Sequence, residues 1–241
     1  MPSQFLSAEW RYLAMINYEI DPAILLPYVP GRTELDCWNG KTFVSMVGFL
    51  FLRTKLLGLP IPFHQDFEEV NLRFYVRRKA EEGWRRGVVF IKEIVPKIAI
   101  AAVARAVYNE KYVAMPMRHH IEIESGSLKK DGSVEYGWRC QGRWNHLRVE
   151  TMGDLQRTTA GSEEEFITEH YWGYAAQTDG SCTEYRVEHP PWPIWRVSRS
   201  SLDCDVARIY GDQFVECLSA APSSAFLAAG SPVIVRRGLR I

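Results

Sequence analysis

One lysine of this chain, close to two tyrosines, is a candidate for a nucleophile that forms a covalent bond with a substrate. Lys111 lies in the segment ARAVYNEKYVAMPM, residues 104–117. A lysine amine attacks a carbonyl group only when it is neutral, which requires desolvation or a second cation close by. Glu110 directly precedes Lys111, and a neighbouring carboxylate stabilises the charged amine instead. The residues alone therefore predict that Lys111 is a solvated loop charge.

A strand of strictly alternating polarity begins at Glu69 and carries the second group of candidates. Its sequence, EVNLRFYVRR, places apolar residues from Val70 onward on one face. The polar face consists of Glu69, Asn71, Arg73, Tyr75 and Arg77. On an outer strand such a face is solvated, and the sequence alone favours this interpretation. In a closed barrel the same side chains would line the interior, where a carboxylate and a guanidinium must pair or face a ligand.

Histidine and aromatic residues of the second half form a third group. The segments EHYWGY and VEHPPWPIW concentrate rings around His170 and His189. Aromatic residues at such spacing pack a core more often than they hold a cofactor. Both histidines could still lie at the rim of a cavity, and we retain them as ligand-binding candidates. His119 and His120 would point to opposite faces of a strand, so no metal site is predicted. No cofactor is predicted either.

Composition and motifs argue against several classes of function. Lys plus Arg and Asp plus Glu both total 29, so no positive surplus favours nucleic acid as a partner. The motifs GxSxG, HExxH, GxxxxGK[ST] and GxGxxG are absent. The N-terminus does not resemble a signal peptide, and no apolar run reaches about 18 residues, which predicts a cytoplasmic protein without a membrane partner. The five cysteines form no CxxC pair and fit reduced thiols.

Segments of alternating or β-branched residues predict a single β-rich domain over residues 1–241. Strands are predicted over 41–53, 69–78, 87–95, 119–124, 135–150, 183–188, 194–200 and in the terminal segment 231–241. Helices are predicted over 21–26, over 97–107 with a strand as the alternative, and over 162–174. Asp21 before Pro22 caps the first helix, and Ser162 opens the last one with a capping box.

The order of several segments resembles a known group of proteins. WRYLAMINYEIDPAILLPYVPGRTELD is followed by FEEVNLRFYV, ARAVYNEKY, FITEHYWGY, EYRVEHPPW, IYG and PSSAFLAAGSPV. Over nearly its whole length the chain resembles the YqjF-like family of uncharacterised bacterial proteins, which is similar to the acetoacetate decarboxylase superfamily. The resemblance implies a β-rich α+β fold: a closed or cone-shaped antiparallel β-barrel with a few short peripheral helices around an apolar cavity.

The same resemblance implies a pocket that has lost its nucleophile. In acetoacetate decarboxylases the imine-forming lysine follows a Gly-Arg-Glu segment and is succeeded by a second lysine. In the alignment Arg105 takes the place of that segment's arginine, and Tyr112 takes the place of the nucleophile. A one-residue slip would put Lys111 there, without the second lysine that lowers the pKa of the amine. Arg11 and Glu69 fall near the places of the polar groups beside the substrate carboxylate.

Two classes of function follow from these residues. The first is a binding module whose cavity holds a small, mainly apolar molecule that can carry a carboxylate. The second is an enzyme that performs acid–base chemistry on a small carbonyl or carboxylate compound, with Glu69 and Tyr112 as catalytic groups. A strongly raised pKa of Glu69 would favour the second class. The ligand-binding candidates are Arg11, Arg73, Arg105, Tyr108, His170 and His189. Pairing of an exposed strand edge into a homo-oligomer stays open.

Overall fold

The structure is a computed structural model, and it describes residues 3–98 and 111–241. The strands are β1 (Gln4–Glu19), β2 (Glu34–Leu35), β3 (Phe43–Leu56), β4 (Leu59–Pro60), β5 (Phe67–Ala80), β6 (Gly83–Val95), β7 (Tyr112–Ala114), β8 (Met117–Ile121), β9 (Ile123–Glu124), β10 (Ser127–Leu128), β11 (Ser133–Cys140), β12 (Arg143–Gln156), β13 (Trp172–Ala176), β14 (Cys182–Glu188), β15 (Ile194–Asp203), β16 (Ser224–Arg236) and β17 (Leu239–Arg240). Short α-helices cover Pro22–Leu25, Glu163–Thr168, Val206–Ile209 and Val215–Ser219. None of the helices in the described part of the chain is long and apolar enough to span a bilayer.

Seven of the described strands close into a barrel. Their order is β14, β13, β6, β5, β3, β1 and β16. Val187 of β14 pairs with Val235 of β16, and this contact closes the ring. Neighbours in the ring are antiparallel except β13 and β6, which run parallel. The closed barrel with a few short helices that the resemblance implied is confirmed.

A second layer of strands covers one side of the barrel. β15, β12, β11 and β8 continue the sheet beyond β16. Tyr136 of β11 lies over Gly48 of β3, where an added Cβ would come within 2.7 Å of the tyrosine ring. The Tyr136 hydroxyl also donates a hydrogen bond to the backbone oxygen of Tyr12 at 2.8 Å. Gly48 therefore permits the close approach of the two layers, and a core packs between them.

Both faces of the alternating strand β5 are buried. Val70, Leu72 and Phe74 belong to one core cluster with residues of β11 and β12, and each is fully inaccessible to solvent. Tyr75, on the opposite face, belongs to a second cluster inside the barrel and is 1% exposed. The predicted alternation is confirmed, but the favoured interpretation of a solvated polar face is wrong. The sheet curves into a barrel, so the polar face from Glu69 to Tyr75 lies inside it, whereas the side chain of Arg77 is 40% exposed and pairs with Glu34.

The helix predicted from the capping box is shorter than expected. Ser162 accepts a hydrogen bond at Oγ from the backbone N–H of Glu165, 3.2 Å away, as a capping residue should. The helix ends at Thr168 and not near residue 174. Trp172–Ala176 instead forms β13, which pairs with β14 and buries Tyr174. Sheet pairing thus overrides the helical spacing of the aromatic residues.

The segment predicted as one alternating run over 135–150 is a hairpin. Its strands β11 and β12 turn at Gln141 and Gly142, which have φ values of 45° and 88°. Two consecutive residues with positive φ are typical of the tight turns that join antiparallel strands. At the N-terminal helix the prediction is confirmed, since Asp21 Oδ1 accepts from the N–H of Ala23 at 2.8 Å. The helix predicted over 97–107 lies largely outside the described residues.

Candidate functional site

A mainly apolar cavity of about 320 Å³ lies inside the barrel. Much of its wall is aromatic, including Trp10, Phe49, Phe51, Phe67 and Trp192. The ring centroids of Trp10 and Phe49 are 5.3 Å apart, and Phe51 stacks on Phe67 at 4.6 Å. Such edge-on and stacked pairs hold large side chains in fixed positions. The wall offers a rigid surface for the apolar part of a small molecule.

Three polar side chains of β5 enter this cavity in a row. Glu69, Asn71 and Arg73 alternate along the strand and all line the cavity. Their residues are 2%, 1% and 8% exposed. Because side chains two residues apart share a face of a strand, the register that buries Leu72 outside the barrel also turns these groups inward.

Glu69 is a buried carboxylic acid held by two donors. The Tyr112 hydroxyl donates to Glu69 Oε2 at 3.0 Å, and the Asn71 amide donates to Oε1 at 2.9 Å. Burial raises the pKa of Glu69 to about 7, against the opposing effects of these hydrogen bonds and of the Arg73 charge. Burial and the nearby Glu69 and Glu93 also raise the pKa of Tyr112 well above its usual value. Glu69 can therefore take up or release a proton near neutral pH.

Tyr112, and not Lys111, faces the cavity. The Nζ atom of Lys111 lies 4.9 Å from the centroid of the Tyr28 ring, on an exposed side chain. Tyr112 pairs with Glu93 across the parallel contact of β6 and β7 and lines the cavity. Every lysine of the chain falls within the described residues, and none lines the cavity. No lysine is therefore placed to form an imine with a molecule in this cavity.

Arg73 is a buried cation without an ion-pair partner in the described part of the chain. Its Nη2 atom lies 3.4 Å from the backbone oxygen of Ile167 and 3.9 Å from the sulfur of Met15. The Nε atom has no hydrogen-bond partner among the described residues. The guanidinium sits 5.7 Å from the centroid of the Tyr75 ring. These weak contacts leave donor capacity directed at whatever fills the cavity.

His170 also lines the cavity and is positioned by a carboxylate behind it. Its Nε2 atom is 3.3 Å from Asp36 Oδ2, and Arg86 donates to the same oxygen at 2.7 Å. The imidazole ring lies 4.6 Å from the Tyr75 ring. Burial lowers the pKa of His170 to about 4, despite the opposing hydrogen bond to Asp36. Nε2 of the neutral His170 lies between Asp36 and Arg86, whose Nη2 atom is 3.5 Å away, and Nδ1 has no partner among the described residues.

His189 lines another part of the same wall. It stacks on Trp192 with centroids 4.1 Å apart, and its Nδ1 atom is 2.9 Å from the backbone oxygen of Pro190. Burial lowers the pKa of His189 to about 4, so this ring is also neutral at neutral pH. The two histidines chosen from the sequence thus face one cavity.

The other sequence candidates lie elsewhere or outside the described residues. Arg11 is not among the lining residues, because Trp10 and Leu13 of β1 point inward and irregular pairing follows Arg11. Its guanidinium donates to Glu9 at 2.9 Å, and its side chain is 35% exposed. The expectation that Arg11 anchors a ligand in the cavity is corrected accordingly. Arg105 and Tyr108 lie outside the described residues.

Sequence reasoning missed other polar residues of the wall. Glu93 of β6 is paired directly with Asn71 of β5 and is 2% exposed. A charged residue within the apolar run IKEIV was the signal that could have found it. Thr54 and Tyr185 also line the cavity, and neither position is distinguished by its neighbours in sequence. Within residues 3–98 and 111–241, no cluster of His, Cys, Asp and Glu could hold a metal ion.

Comparison with known proteins identifies the family. The model of the family DUF2071, described as an uncharacterized conserved protein, matches residues 7–232. The chain belongs to this family. It is 36% identical over 75 residues to the uncharacterized protein YqjF of Bacillus subtilis (strain 168), and this match covers 31% of each chain. The match spans about a third of that relative, and the YqjF-like resemblance read from the sequence is confirmed.

Solved structures show the same fold at low sequence identity. Acetoacetate decarboxylase from Legionella pneumophila superposes with a TM-score of 0.68 at 14% identity, covering 100% of this DUF2071 chain and 88% of the other. An acetoacetate decarboxylase-like enzyme from Sphingomonas wittichii RW1 gives 0.67 at 13% identity, with 99% and 94% covered. The enduracididine biosynthesis enzyme MppR gives 0.69 at 12% identity, with 100% and 90% covered. The fold is therefore that of the acetoacetate decarboxylase-like proteins.

Proposed function

We propose that this DUF2071 protein binds a small, mainly apolar carboxylic acid inside the barrel. The observation that carries the proposal is Arg73, a buried guanidinium with an unpartnered Nε and no ion pair among the described residues. A ligand carboxylate at this position would accept hydrogen bonds from Arg73 and neutralise its charge. The aromatic wall would hold the apolar part of the ligand.

The energetics favour a site shaped for an anion. Taking an isolated cation out of water has an effective penalty of several kcal/mol per ion in proteins. The packing of the barrel must overcome this penalty in the free protein, and a bound carboxylate would reduce it. Further polar atoms without described partners, Thr54 Oγ1 and Asn71 Oδ1, lie in the same wall and could bind other polar groups of the ligand.

The test is a titration with carboxylates and their neutral analogues. Benzoate, phenylacetate and 3-phenylpropionate would be compared with the corresponding amides by calorimetry and thermal shift. We expect at least one acid to bind and its amide to bind at least tenfold more weakly, a difference of about 1.4 kcal/mol. Replacement of Arg73 with Met should remove the preference for the acid.

A matched variant distinguishes the specific effect of Arg73 from the general effect of removing one positive charge. Arg11→Met removes an arginine that lies outside the cavity, and it should leave the preference for the acid unchanged. Arg73→Met should also be at least as stable as the wild type without ligand, because it removes an unpaired buried cation. Equal binding of acid and amide to the wild type would contradict the proposal, as would an acid preference that survives Arg73→Met.

A second candidate function rests on Glu69. Its pKa near 7, caused by burial in the absence of a described ion pair, is the property expected of a general acid or base. In this function Glu69 would remove a proton from the carbon next to a carbonyl group, and Arg73 would hold the substrate carboxylate. The Tyr112 hydroxyl, 3.0 Å from Glu69 Oε2, would stabilise the carboxylate form between proton transfers.

Hydrogen exchange in D₂O tests this candidate without knowledge of the physiological substrate. Pyruvate and phenylpyruvate are suitable probes. MppR, which shares the fold, has been solved in complex with pyruvate. We expect protein-dependent incorporation of deuterium next to the carbonyl, detected by NMR, and its loss in Glu69→Gln. Glu68→Gln is the control, because the preceding glutamate pairs with His119 at 2.7 Å and does not line the cavity. Exchange that continues unchanged in Glu69→Gln would remove Glu69 from the role.

A further inference from the structure

A smaller pocket lies against the outer side of the cavity wall. Its volume is about 150 Å³, and Trp172 and Tyr185 line both this pocket and the central cavity. Arginines dominate the rest of its lining: Arg85, Arg186, Arg236 and Arg237. We call it the basic pocket. It is separate from the Arg73 site, because none of these four arginines lines the central cavity.

The pocket forms where β14 changes partners. β14 pairs with β17 at Thr183 and Glu184, and with β16 at Val187 and Glu188. Between these two pairings the chain passes from β16 to β17 through Arg237 and Gly238. The interruption leaves a recess beside Arg186. Strand topology, and not a mobile side chain, therefore defines the location of the pocket.

The carboxylates of the pocket are already engaged by other groups. Glu184 accepts hydrogen bonds from Arg78 at 3.0 Å, from Arg85 at 2.5 Å and from the Tyr174 hydroxyl at 2.9 Å. Arg236 binds Glu188 through two hydrogen bonds, at 3.1 and 2.8 Å. The acidic groups therefore have little capacity left to neutralise the remaining arginines.

Two guanidinium groups keep most of their binding capacity. Within the described residues, the ion-pair contact of Arg186 is a long one, 3.8 Å to Glu188, and Arg237 forms no ion pair. Arg85 is held with its guanidinium carbon 4.3 Å from the centroid of the Trp172 ring, and that of Arg186 lies 6.0 Å from the same ring. The tryptophan face thus orients positive charge around the recess.

We propose that the basic pocket binds a phosphate group, with Arg186 and Arg237 as its principal donors. A guanidinium presents paired N–H groups that match two oxygens of a phosphate, so two arginines can bind one phosphate from two sides. The volume of about 150 Å³ is large enough for a group of five heavy atoms. The phosphate could be inorganic or belong to an organic monoester, and both sources share this chemistry.

The experiment is calorimetric titration of the wild type and of Arg186→Gln/Arg237→Gln with inorganic phosphate, phenyl phosphate and phenol. We expect the wild type to bind at least one of the phosphates and not phenol, with affinity at least tenfold lower in the double variant. Arg157→Gln/Arg199→Gln removes the same charge from exposed positions outside the pocket and should change the affinity less than twofold. Similar binding of both phosphates would indicate inorganic phosphate, and much tighter binding of phenyl phosphate would indicate a monoester.

Two results would contradict phosphate binding in the basic pocket. The inference is overturned if neither phosphate binds, or if the double variant and the charge-matched control lose affinity equally. The test does not depend on the carboxylate proposal, because Arg73→Met should bind phosphate as the wild type does. Binding should also weaken as salt is raised from 50 to 300 mM, since the screening length falls to less than about 10 Å above 0.1 M salt.

Discussion

The two faces of β5 are buried to a similar degree but differ in chemistry. Val70, Leu72 and Phe74 pack into the core between the barrel and the outer layer. Glu69 and Arg73, on the other face, line the central cavity. One face is filled by its neighbours, whereas the other places polar groups along the cavity wall. Alternation in a strand therefore indicates which face borders a cavity only when the curvature of the sheet is known.

The difference extends to hydrogen bonding. Five buried polar atoms in the cavity wall have no partner among the described residues: Trp10 Nε1, Thr54 Oγ1, Asn71 Oδ1, Arg73 Nε and His170 Nδ1. In the outer core the comparable atom is Trp138 Nε1. Unsatisfied buried polar groups are unfavourable, and in native proteins they concentrate where binding or catalysis needs them. The packing of the outer core thus stabilises the fold, whereas the unsatisfied polar atoms of the cavity wall lower the free energy of unfolding.

The largest effect is expected from the outer core. Phe74→Ala removes a fully buried ring and should lower the free energy of unfolding by about 3–5 kcal/mol. The preference of the cavity for a carboxylic acid should survive at temperatures where the variant is folded, since Phe74 does not line the cavity. Urea denaturation and the phenylpropionate titration would measure the two quantities. A loss below about 1 kcal/mol would mean that the two faces do not differ in this way.

Glu69→Gln should change how stability depends on pH. The pKa of Glu69 is raised by burial to about 7 from a usual value of 4.5, so the folded state favours the protonated acid. This contribution is fully present below pH 4.5 and is lost as the pH rises through 7. Relative to Glu69→Gln, the wild type should therefore lose roughly 1–3 kcal/mol between about pH 5 and 8. Parallel pH profiles of the two proteins in urea denaturation would contradict the raised pKa.

His170 should act in the opposite direction and over a lower range of pH. Burial lowers its pKa from 6.5 to about 4, so the folded state holds fewer protons than the unfolded state in this interval. The wild type should lose stability as the pH falls from about 6.5 towards 4, by roughly 1–2 kcal/mol more than His170→Gln. NMR of the imidazole ring offers a direct measurement. A ring that titrates near pH 6.5 would show that His170 is solvated and not part of the cavity wall.

The sequence predicted features that depend on neighbouring residues, and it did not predict features that depend on contacts between distant residues. Local signals worked where they act locally: Asp21 caps its helix, and the alternation after Glu69 marks a strand. The side of β5 that faces the cavity depends on barrel closure through Val187 and Val235, a contact of residues 48 positions apart, which no local pattern encodes. The resemblance to a barrel superfamily supplied that missing information.

The candidate site shows the same limit. The choice of Tyr112 over Lys111 for the cavity agreed with the structure, because the resemblance put Tyr112 in the place of the nucleophile and Glu110 argued against a neutral Lys111. Arg11 failed, since irregular pairing of β1 after this residue changes which side chains point inward, and Tyr12 has a φ of 53°. Glu93 was missed although a local signal existed, a charged residue within the apolar run IKEIV of β6.

The smallest expected change in the free energy of unfolding comes from a comparison of two buried threonines, one hydrogen-bonded and one in the cavity wall. Thr42 donates from Oγ1 to the backbone oxygen of Ile20 at 2.5 Å, whereas Thr54, in the cavity wall, has no described partner for its hydroxyl. Replacement by Val keeps the shape of each side chain. Thr42→Val should destabilise the protein by about 1–2 kcal/mol, because it leaves the Ile20 carbonyl without its partner.

Thr54→Val should be neutral or stabilise the protein by up to about 1 kcal/mol, because it removes a buried hydroxyl that has no described partner. Urea denaturation of both variants without ligand would measure the difference. Equal destabilisation would show that the Thr54 hydroxyl is satisfied in solution, which requires water inside the cavity. A ligand would then have to displace that water, and its apolar part would gain less from the aromatic wall than a dry cavity would provide.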